Sequence, residues 1–241
     1  MAANKPLWLS RTDLLLGEER LERLKNAHVL VVGLGGVGAY AAEMLCRAGI
    51  GELTIVDADI IEETNINRQQ PALHSTVGFA KADILHARFL DINPKLKINP
   101  IIEFICDDRT DELLNNNYDY VVDAIDTLSP KANLIAKAMA RGIPIVSSMG
   151  AGGKLDPTRV SVTDISKSHH CPLAHMLRKR LSRMGIKEGF KVVFSDEENQ
   201  PNSIIITNGE GNKKSNVGTI SYMPAVFGIC CASAVIRDLA Q

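Results

Sequence analysis

The stretch His28-Val-Leu-Val-Val32-Gly33-Leu-Gly35-Gly36-Val-Gly38 decides how this 241-residue chain folds. Its opening residues form an apolar run that reads as a buried strand, and the glycines follow at once. Gly33 allows a tight turn, Gly35 lets a phosphate approach the backbone, and Gly38 lets the next helix pack on the strand, with Gly36 inside the same turn. Ala39 to Ala48 is rich in helix formers, and Gly49 offers the stop. Leu53-Thr-Ile-Val-Asp57 is a second strand-like run. Strand, glycine turn, helix and strand make a right-handed βαβ unit, whose helix N-terminus presents unpaired N–H groups to an anion. Asp57 closes the second strand 19 residues beyond Gly38, where a carboxylate can accept from ribose hydroxyls.

The pattern extends in both directions. Upstream, the leucines between Leu14 and Lys25 have helical spacing and predict a helix leading into the first strand. Downstream, helices over Lys81–Asp91 and Pro130–Arg141 alternate with strands over Ile98–Ile105, Tyr118–Asp123 and Ile143–Ser148. That alternation predicts a Rossmann-like α/β fold, a mostly parallel sheet with helices on both faces. After Gly150 the β-like runs are shorter: Val160–Ile165, Lys191–Phe194, Ser203–Thr207 and Thr219–Tyr222. They are expected to extend the sheet by antiparallel strands in the C-terminal third. The polar stretches 195–202 and 208–216 lack apolar periodicity and read as loops. A single domain over residues 1–241 is expected.

Hydrophobic residues at 45% and charged residues at 23% fit a folded globular chain. With 27 Lys+Arg against 28 Asp+Glu the net charge is -1, so charged partners must be sought in local patches. Five irregularly spaced cysteines, and an N-terminal segment without the basic-then-apolar order of a secretion signal, point to a reducing cytoplasm. The most apolar stretch, Ile220 to Ile236, contains Tyr222, Pro224 and Ser233. It reads as a buried C-terminal helix and not as a membrane span, and no membrane partner is expected.

The glycine turn alone does not separate NAD from ATP. The segment Asp57-Ala-Asp59-Ile-Ile-Glu-Glu-Thr-Asn65-Ile-Asn67-Arg68-Gln69 argues for a triphosphate, because it sets amides and a guanidinium just past the ribose carboxylate. Lys81, at the head of the next helix, adds a point charge. Val121-Val-Asp123-Ala-Ile-Asp126-Thr127 ends another strand at the same rim, where open α/β sheets bind ligands. Its two carboxylates suit Mg²⁺ shared with phosphate oxygens. A polar surface loop, and a capping role for Asp126, are the structural alternatives.

Taken together, GlyXGlyGlyXGly, Asp57, Asn65-x-x-Arg68-Gln69, Lys81 and Asp126 resemble the ThiF/MoeB/ubiquitin-activating superfamily of adenylating enzymes, over nearly the whole chain. The resemblance implies catalytic roles for Arg11, Arg68, Lys81 and Asp126. It implies a nucleotide site made by Gly33, Gly35, Gly36, Gly38, Asp57, Asp59, Asn65, Arg68, Gln69, Lys81, Asp123, Asp126 and Thr127. Asp57 would bind ribose, Asn65, Arg68 and Lys81 the phosphates, and Asp126 the Mg²⁺. Arg11 aligns with an arginine that relatives lend to the partner subunit's site, which implies a homodimer.

Within the superfamily, Ser147 to Arg159, Cys171-Pro-Leu and Tyr222 to Gly228 are similar to the branch that dehydrates threonylcarbamoyladenosine in tRNA. That branch implies attack of the threonyl carboxylate on the α-phosphate of ATP, then ring closure by the carbamoyl group on the acyl-adenylate. Residues 10–150 would bind nucleotide, and residues 151–241 would face the tRNA and complete the dimer. ATP and Mg²⁺ are the implied cofactors; a monovalent cation, and a cysteine desulfurase with its sulfur acceptor, are left open. No structural zinc is expected, since the chain lacks the Cys-x-x-Cys pairs of the sulfur-transfer and ubiquitin-like branches.

Between Lys167 and Lys191, seven Lys/Arg face one acid, Glu188. Leu173, Leu177 and Leu181 recur every four residues, so one helix face packs while Arg178, Lys179, Arg180 and Arg183 are expected to meet tRNA phosphates. His169-His170-Cys171 reads as a loop ordered over the site, with a thiol role for Cys171 left open; Cys230 and Cys231 read as small core residues. Three rival functions remain. An NAD-dependent oxidoreductase leaves Asn65, Arg68 and Asp126 unexplained, and the others are a non-catalytic nucleotide-binding scaffold and activation of a sulfur-carrier protein's C-terminus.

Overall fold

Two helices precede the first strand in the computed structural model, which describes residues 6–200, 203–206 and 215–241. The helix predicted over Leu14–Lys25 is divided into α1 (Ser10–Leu16) and α2 (Glu18–Asn26) by Gly17. Its φ of 83° is open to glycine and ends the α1 ladder there. β1 (His28–Val32), α3 (Gly38–Ala48) and β2 (Glu52–Val56) form the βαβ unit, the two strands pairing in parallel. Gly49 closes α3 in the left-handed region.

The alternation continues through α4 (Lys81–Ile92), β3 (Lys97–Ile101), α5 (Asp107–Leu113), β4 (Tyr120–Asp123), α6 (Leu128–Ala140) and β5 (Ile145–Ser148). α5 has no counterpart in the sequence reading, because its acid-rich seven residues bury only Thr110 and Leu113 and carry no apolar stripe. After β5 come β6 (Val160–Asp164), α7 (Pro172–Ser182), β7 (Lys191–Ser195), the short pair β8 (Ile204–Ile206) and β9 (Ser215–Val217), and finally α8 (Tyr222–Leu239).

Seven strands form one sheet in the order β3-β2-β1-β4-β5-β7-β6. Every pairing is parallel except β6 on β7, so the antiparallel extension is a single edge strand. The other runs after Gly150 behave differently. β7 joins β5 in parallel, because α7 returns the chain to the start of the sheet before β7 begins. β8 and β9 pair only with each other, and Thr219–Tyr222 leads into α8. Residues 201–202 and 207–214, which include most of the second predicted loop and the end of the Ser203–Thr207 run, lie outside the described residues.

Alternate residues of β1 feed opposite cores. Val29 and Val31 pack with α3 and α8, whereas Leu30 and Val32 pack with α6 and α7. β1 is therefore buried on both faces, as a central parallel strand must be. α8 is long and apolar enough to cross a membrane by length and composition, yet it lies on α3 and the sheet with Met223, Phe227, Cys231 and Val235 buried. The contact is close: a Cβ on Gly228 would stand 2.9 Å from Tyr40 Cβ and on the Val37 carbonyl. Gly228→Val is expected to overpack this crossing and lower the unfolding free energy by about 2–3 kcal/mol, read as a lower denaturation midpoint in urea at unchanged slope.

Candidate nucleotide and RNA site

Six parallel strands, β1 to β5 and β7, end on one rim, and the glycine turn is fitted to it by contacts that admit no side chain. Gly33 has φ of 90°, and a Cβ there would lie 2.7 Å from the Ala124 carbonyl oxygen. A Cβ on Gly38 would fall on the Gly33 carbonyl itself, and one on Gly36 would stand 2.9 Å from Pro224 Cβ of α8. Gly35 is different, because its Cβ would meet nothing nearer than Gln69 Nε2 at 3.7 Å. That opening suits a ligand against the backbone. Gln69 Oε1 is buried and has no hydrogen-bond partner among the described residues, which suits a ligand donor.

Asp57 sits at the mouth of this turn. Its Oδ2 accepts from Leu34 N at 2.5 Å and its Oδ1 from Asp59 N at 2.8 Å. Burial pushes the Asp57 carboxyl up, against the lowering effect of the Lys81 charge and the two N–H donors. Lys81 is 3% exposed, and its Nζ lies 2.7 Å from Asp59 Oδ2. Asn65 braces the intervening segment: its Oδ1 accepts from Glu62 N at 3.2 Å within a capping box. Arg68 Nη1 donates to Thr64 O at 2.9 Å and to Asn67 Oδ1 at 2.8 Å. The adjoining Gln70 donates to Glu43 of α3, which also accepts from Arg47 Nε at 2.7 Å and Arg88 Nε at 2.6 Å. Burial alone would raise the Glu43 carboxyl, and the Arg88 and Arg47 guanidiniums hold it below the usual carboxylate range.

Asp123 was expected beside Asp126 as a nucleotide ligand, and the structure corrects that reading. It is fully buried, with Oδ2 accepting from Ser147 Oγ at 2.6 Å and facing Lys131 Nζ at 2.8 Å, and Oδ1 accepting from Ile125 N at 3.1 Å. Lys131 Nζ also donates to Ile125 O at 2.8 Å. The pair thus grips both backbone polar groups of Ile125, the residue before exposed Asp126. Thr127 Oγ1 reaches Asp126 Oδ1 at 3.4 Å. The sequence reading passed over Lys131, although a signal existed: it takes an apolar-face position with Leu134, Ile135 and Ala138 of α6, all buried. Glu43 among the alanines of α3 is the same kind of signal.

Arg11 lies apart from these groups. Leu9, just before α1, packs on Gly49 at the end of α3 away from the glycine turn, its Cδ1 3.1 Å from where a Cβ would be. Arg11 therefore starts about a helix length, ~16 Å, from its own chain's turn. Along α7, Leu177 and Leu181 are buried and Lys179, Arg180 and Arg183 are exposed. Arg178, expected to project with them, instead turns inward, its Nη1 donating to Ser168 O at 2.7 Å and Ser168 Oγ at 2.5 Å. The carbonyls and hydroxyl of the climbing segment before α7 need a donor, and Arg178 supplies it.

Ahead of α7, His169 and His170 are exposed and Cys171 is buried, its Sγ accepting from Ala174 N at 3.5 Å. No group of three or more His, Cys, Asp or Glu placed to hold a metal occurs among the described residues. Lys154 is buried beneath this loop, where desolvation pushes its ammonium down, and its Nζ donates to His170 O at 3.2 Å and to Glu197 O. Cys231 is buried in α8 and Cys230 is half-buried. Lys131→Met leaves Asp123 without its countercharge and is expected to cost about 3–5 kcal/mol of stability. Adding Asp123→Asn should recover most of that loss, and denaturant unfolding of the single and double variants checks both.

Comparisons with known proteins bear on the family and the fold. The chain is 40% identical over 237 residues to the tRNA threonylcarbamoyladenosine dehydratase of Bacillus subtilis, covering 95% of this chain and 93% of that one. It is 39% identical over 245 residues to the dehydratase of Escherichia coli, covering 95% and 91%. The crystal structure of the Escherichia coli tRNA N6-threonylcarbamoyladenosine dehydratase in complex with ATP superimposes with a TM-score of 0.89 at 37% identity, over 99% of this chain and 97% of that one. A model of the ThiF family matches residues 9–241, from just before α1 to the end of α8. By that match and those likenesses, the chain belongs to the ThiF family.

Proposed function

We propose that this chain activates the carboxylate of threonylcarbamoyladenosine in tRNA with ATP and closes the ring with loss of water. The observation that carries the reading is the buried Lys81 ammonium, held by Asp59 next to Asp57 and the glycine turn. A cation shielded there has anionic phosphates as its natural occupant. The likeness to ATP-binding dehydratases over nearly the whole chain supplies the acid to be activated.

In this reaction the threonyl carboxylate attacks the α-phosphorus, pyrophosphate departs, and the carbamoyl group attacks the resulting mixed anhydride to release AMP. Asp57 oxygens each keep a lone pair for ribose hydroxyls beyond the N–H groups they already accept. Arg68 and Lys81 neutralise phosphate charge, and Asn65 holds the segment that carries Arg68. Asp126 would hold Mg²⁺, which needs only one or two protein carboxylates when phosphates complete its shell; the ion supplies further charge neutralisation. Catalysis is mainly positioning and electrostatic stabilisation, so no side-chain nucleophile is required.

Arg11 acts on the partner's nucleotide in this proposal. Its distance from its own turn favours that, and so do Leu7, Leu14 and Leu15 around it, which are 90%, 89% and 83% exposed and suit a cover from a second copy. Residues 10–150 then bind nucleotide, while residues 151–241, which share the same sheet, face the RNA. The cytoplasm, where tRNA and ATP coexist, is the proposed compartment.

Incubation with ATP and threonylcarbamoyladenosine-containing tRNA should yield a nucleoside lighter by one water in mass spectrometry, and no such product would overturn the reading. Asp126→Asn should fold normally and lower kcat by about 10²–10³. Arg11→Ala subunits mixed with Asp126→Asn subunits should regain activity at one of two sites. Mixed dimers as inactive as their parents would place Arg11 outside the partner's site. For the RNA, the inward turn of Arg178 moves the test to Lys179, Arg180 and Arg183. Their joint change to Glu should raise the Kd for tRNA and flatten its salt dependence by about two to three units of slope, with ATP affinity unchanged.

A further inference from the structure

We propose that the cavity at the head of α7 is the subsite for the modified nucleoside itself, turned out of the RNA stack so that its amino-acid arm lies along the rim toward the nucleotide. The inference rests on the tRNA-modifying reading above and names where that substrate sits. The cavity is a hollow open to solvent on one side, with room of about 560 Å³, and is lined by His169, His170, Cys171, His175, Met176 and Asn199 among others. That falls in the range of ~300–1,000 Å³ typical of small-molecule pockets, larger than a lone phosphate needs and enough for one nucleoside.

Topology sets the cavity beside the nucleotide. β5 lies next to β4 in the sheet, Asp126 follows β4, and Gly150 follows β5. A Cβ on Gly150 would stand 3.6 Å from Cys171 Sγ, so α7 begins one strand, about 5 Å, across the same rim from the Asp126 loop. The third wall comes from beyond β7, where Glu198 Oε1 is 3.5 Å from His170 Nδ1.

The walls are built rather than incidental. Lys154, 2% exposed, ties the carbonyls of His170 and Glu197 together and so joins the two segments that face each other across the opening. His169 meets His170 edge to face at 5.0 Å and Phe194 at 5.2 Å, which fixes an aromatic ledge of the kind on which splayed RNA bases stack. Asn199, on the facing segment, turns its Oδ1 away onto Gly153, 3.1 Å from where a Cβ would be, and so braces that wall. Enzymes that act on one nucleoside of a folded RNA extrude it into such a pocket. The exposed Lys179, Arg180 and Arg183 farther along α7 would meanwhile hold the flanking phosphates.

The test is a fluorescence titration of the full chain, with a non-hydrolysable ATP analogue present, against two anticodon stem-loop RNAs, one carrying the modified nucleoside and one abasic at that position. The wild type should prefer the modified RNA. His169→Ala should cut that preference about tenfold while leaving the Kd values for the abasic RNA and for the ATP analogue unchanged. Met176→Trp, at an exposed wall position that tolerates substitution, should do the same by filling the cavity. Equal binding of both RNAs by the wild type, or variants that weaken both RNAs alike, would overturn the assignment. If the wild type dehydrates the modified tRNA and yet these variants keep the preference, only the pocket is rejected. If it does not dehydrate that tRNA, the functional reading fails and the pocket falls with it.

Discussion

The Gly33 carbonyl occupies the place where any side chain on Gly38 would have to be, and that contact governs the rest of the molecule. It sets the start of α3 directly on the end of β1, while Gly33 in turn sits on the Ala124 carbonyl at the end of β4. Leu34 N then points at Asp57, which links the end of β2 to the same turn. Three strand ends are thereby fixed within hydrogen-bonding reach of one another. α8 closes over the construction, with Pro224 against Gly36 and Gly228 against Val37, so the last helix of the chain is fitted to the first turn of the sheet. The rim is rigid because backbone touches backbone, with no rotamer left to adjust.

Charge is arranged in two tiers around that rim. The inner tier is paired within the protein: Asp123 with Lys131, and Glu43 with Arg47, Arg88 and Gln70. Asp123–Lys131 is buried on both sides, and such a pair adds little net stability but punishes any arrangement that separates it, so it fixes where the loop carrying Asp126 must lie. The outer tier, Asp126, Arg68 and the basic face of α7, lies toward solvent. The Glu43 carboxyl stays ionised because two guanidiniums face it. Its share of stability is complete above the ordinary glutamate pKa and fades as pH falls through its lowered value.

The last third of the chain completes the sheet and aims a helix at the rim. β6 runs away from the rim, the segment 165–171 climbs back beside Phe194, and α7 then descends before β7 rises again. One consequence is that the two ends of α7 serve different surfaces. Its N-terminal end meets Gly150 and the cavity, and its C-terminal half carries the exposed lysine and arginines. Arg178 stands between them and is spent on Ser168, holding the climbing segment in place.

The sequence by itself determined the βαβ start, the parallel alternation, the helix at Lys81 and the positions of Gly33, Gly38, Asp57 and Lys81 on one rim. These follow from glycine spacing and apolar periodicity, which act within a turn or two of chain. Only the tertiary structure decided that Asp123 is a buried partner of Lys131, that Arg178 faces inward, that β7 runs parallel to β5, and that Asn199 and the His169–His170 pair share one cavity. Each of those depends on which distant segment supplies a charge, a donor or a neighbouring strand. A single carboxylate or guanidinium reads the same in the sequence whether its partner is solvent, a ligand or a residue tens of positions away, and the packing of the sheet selects among them.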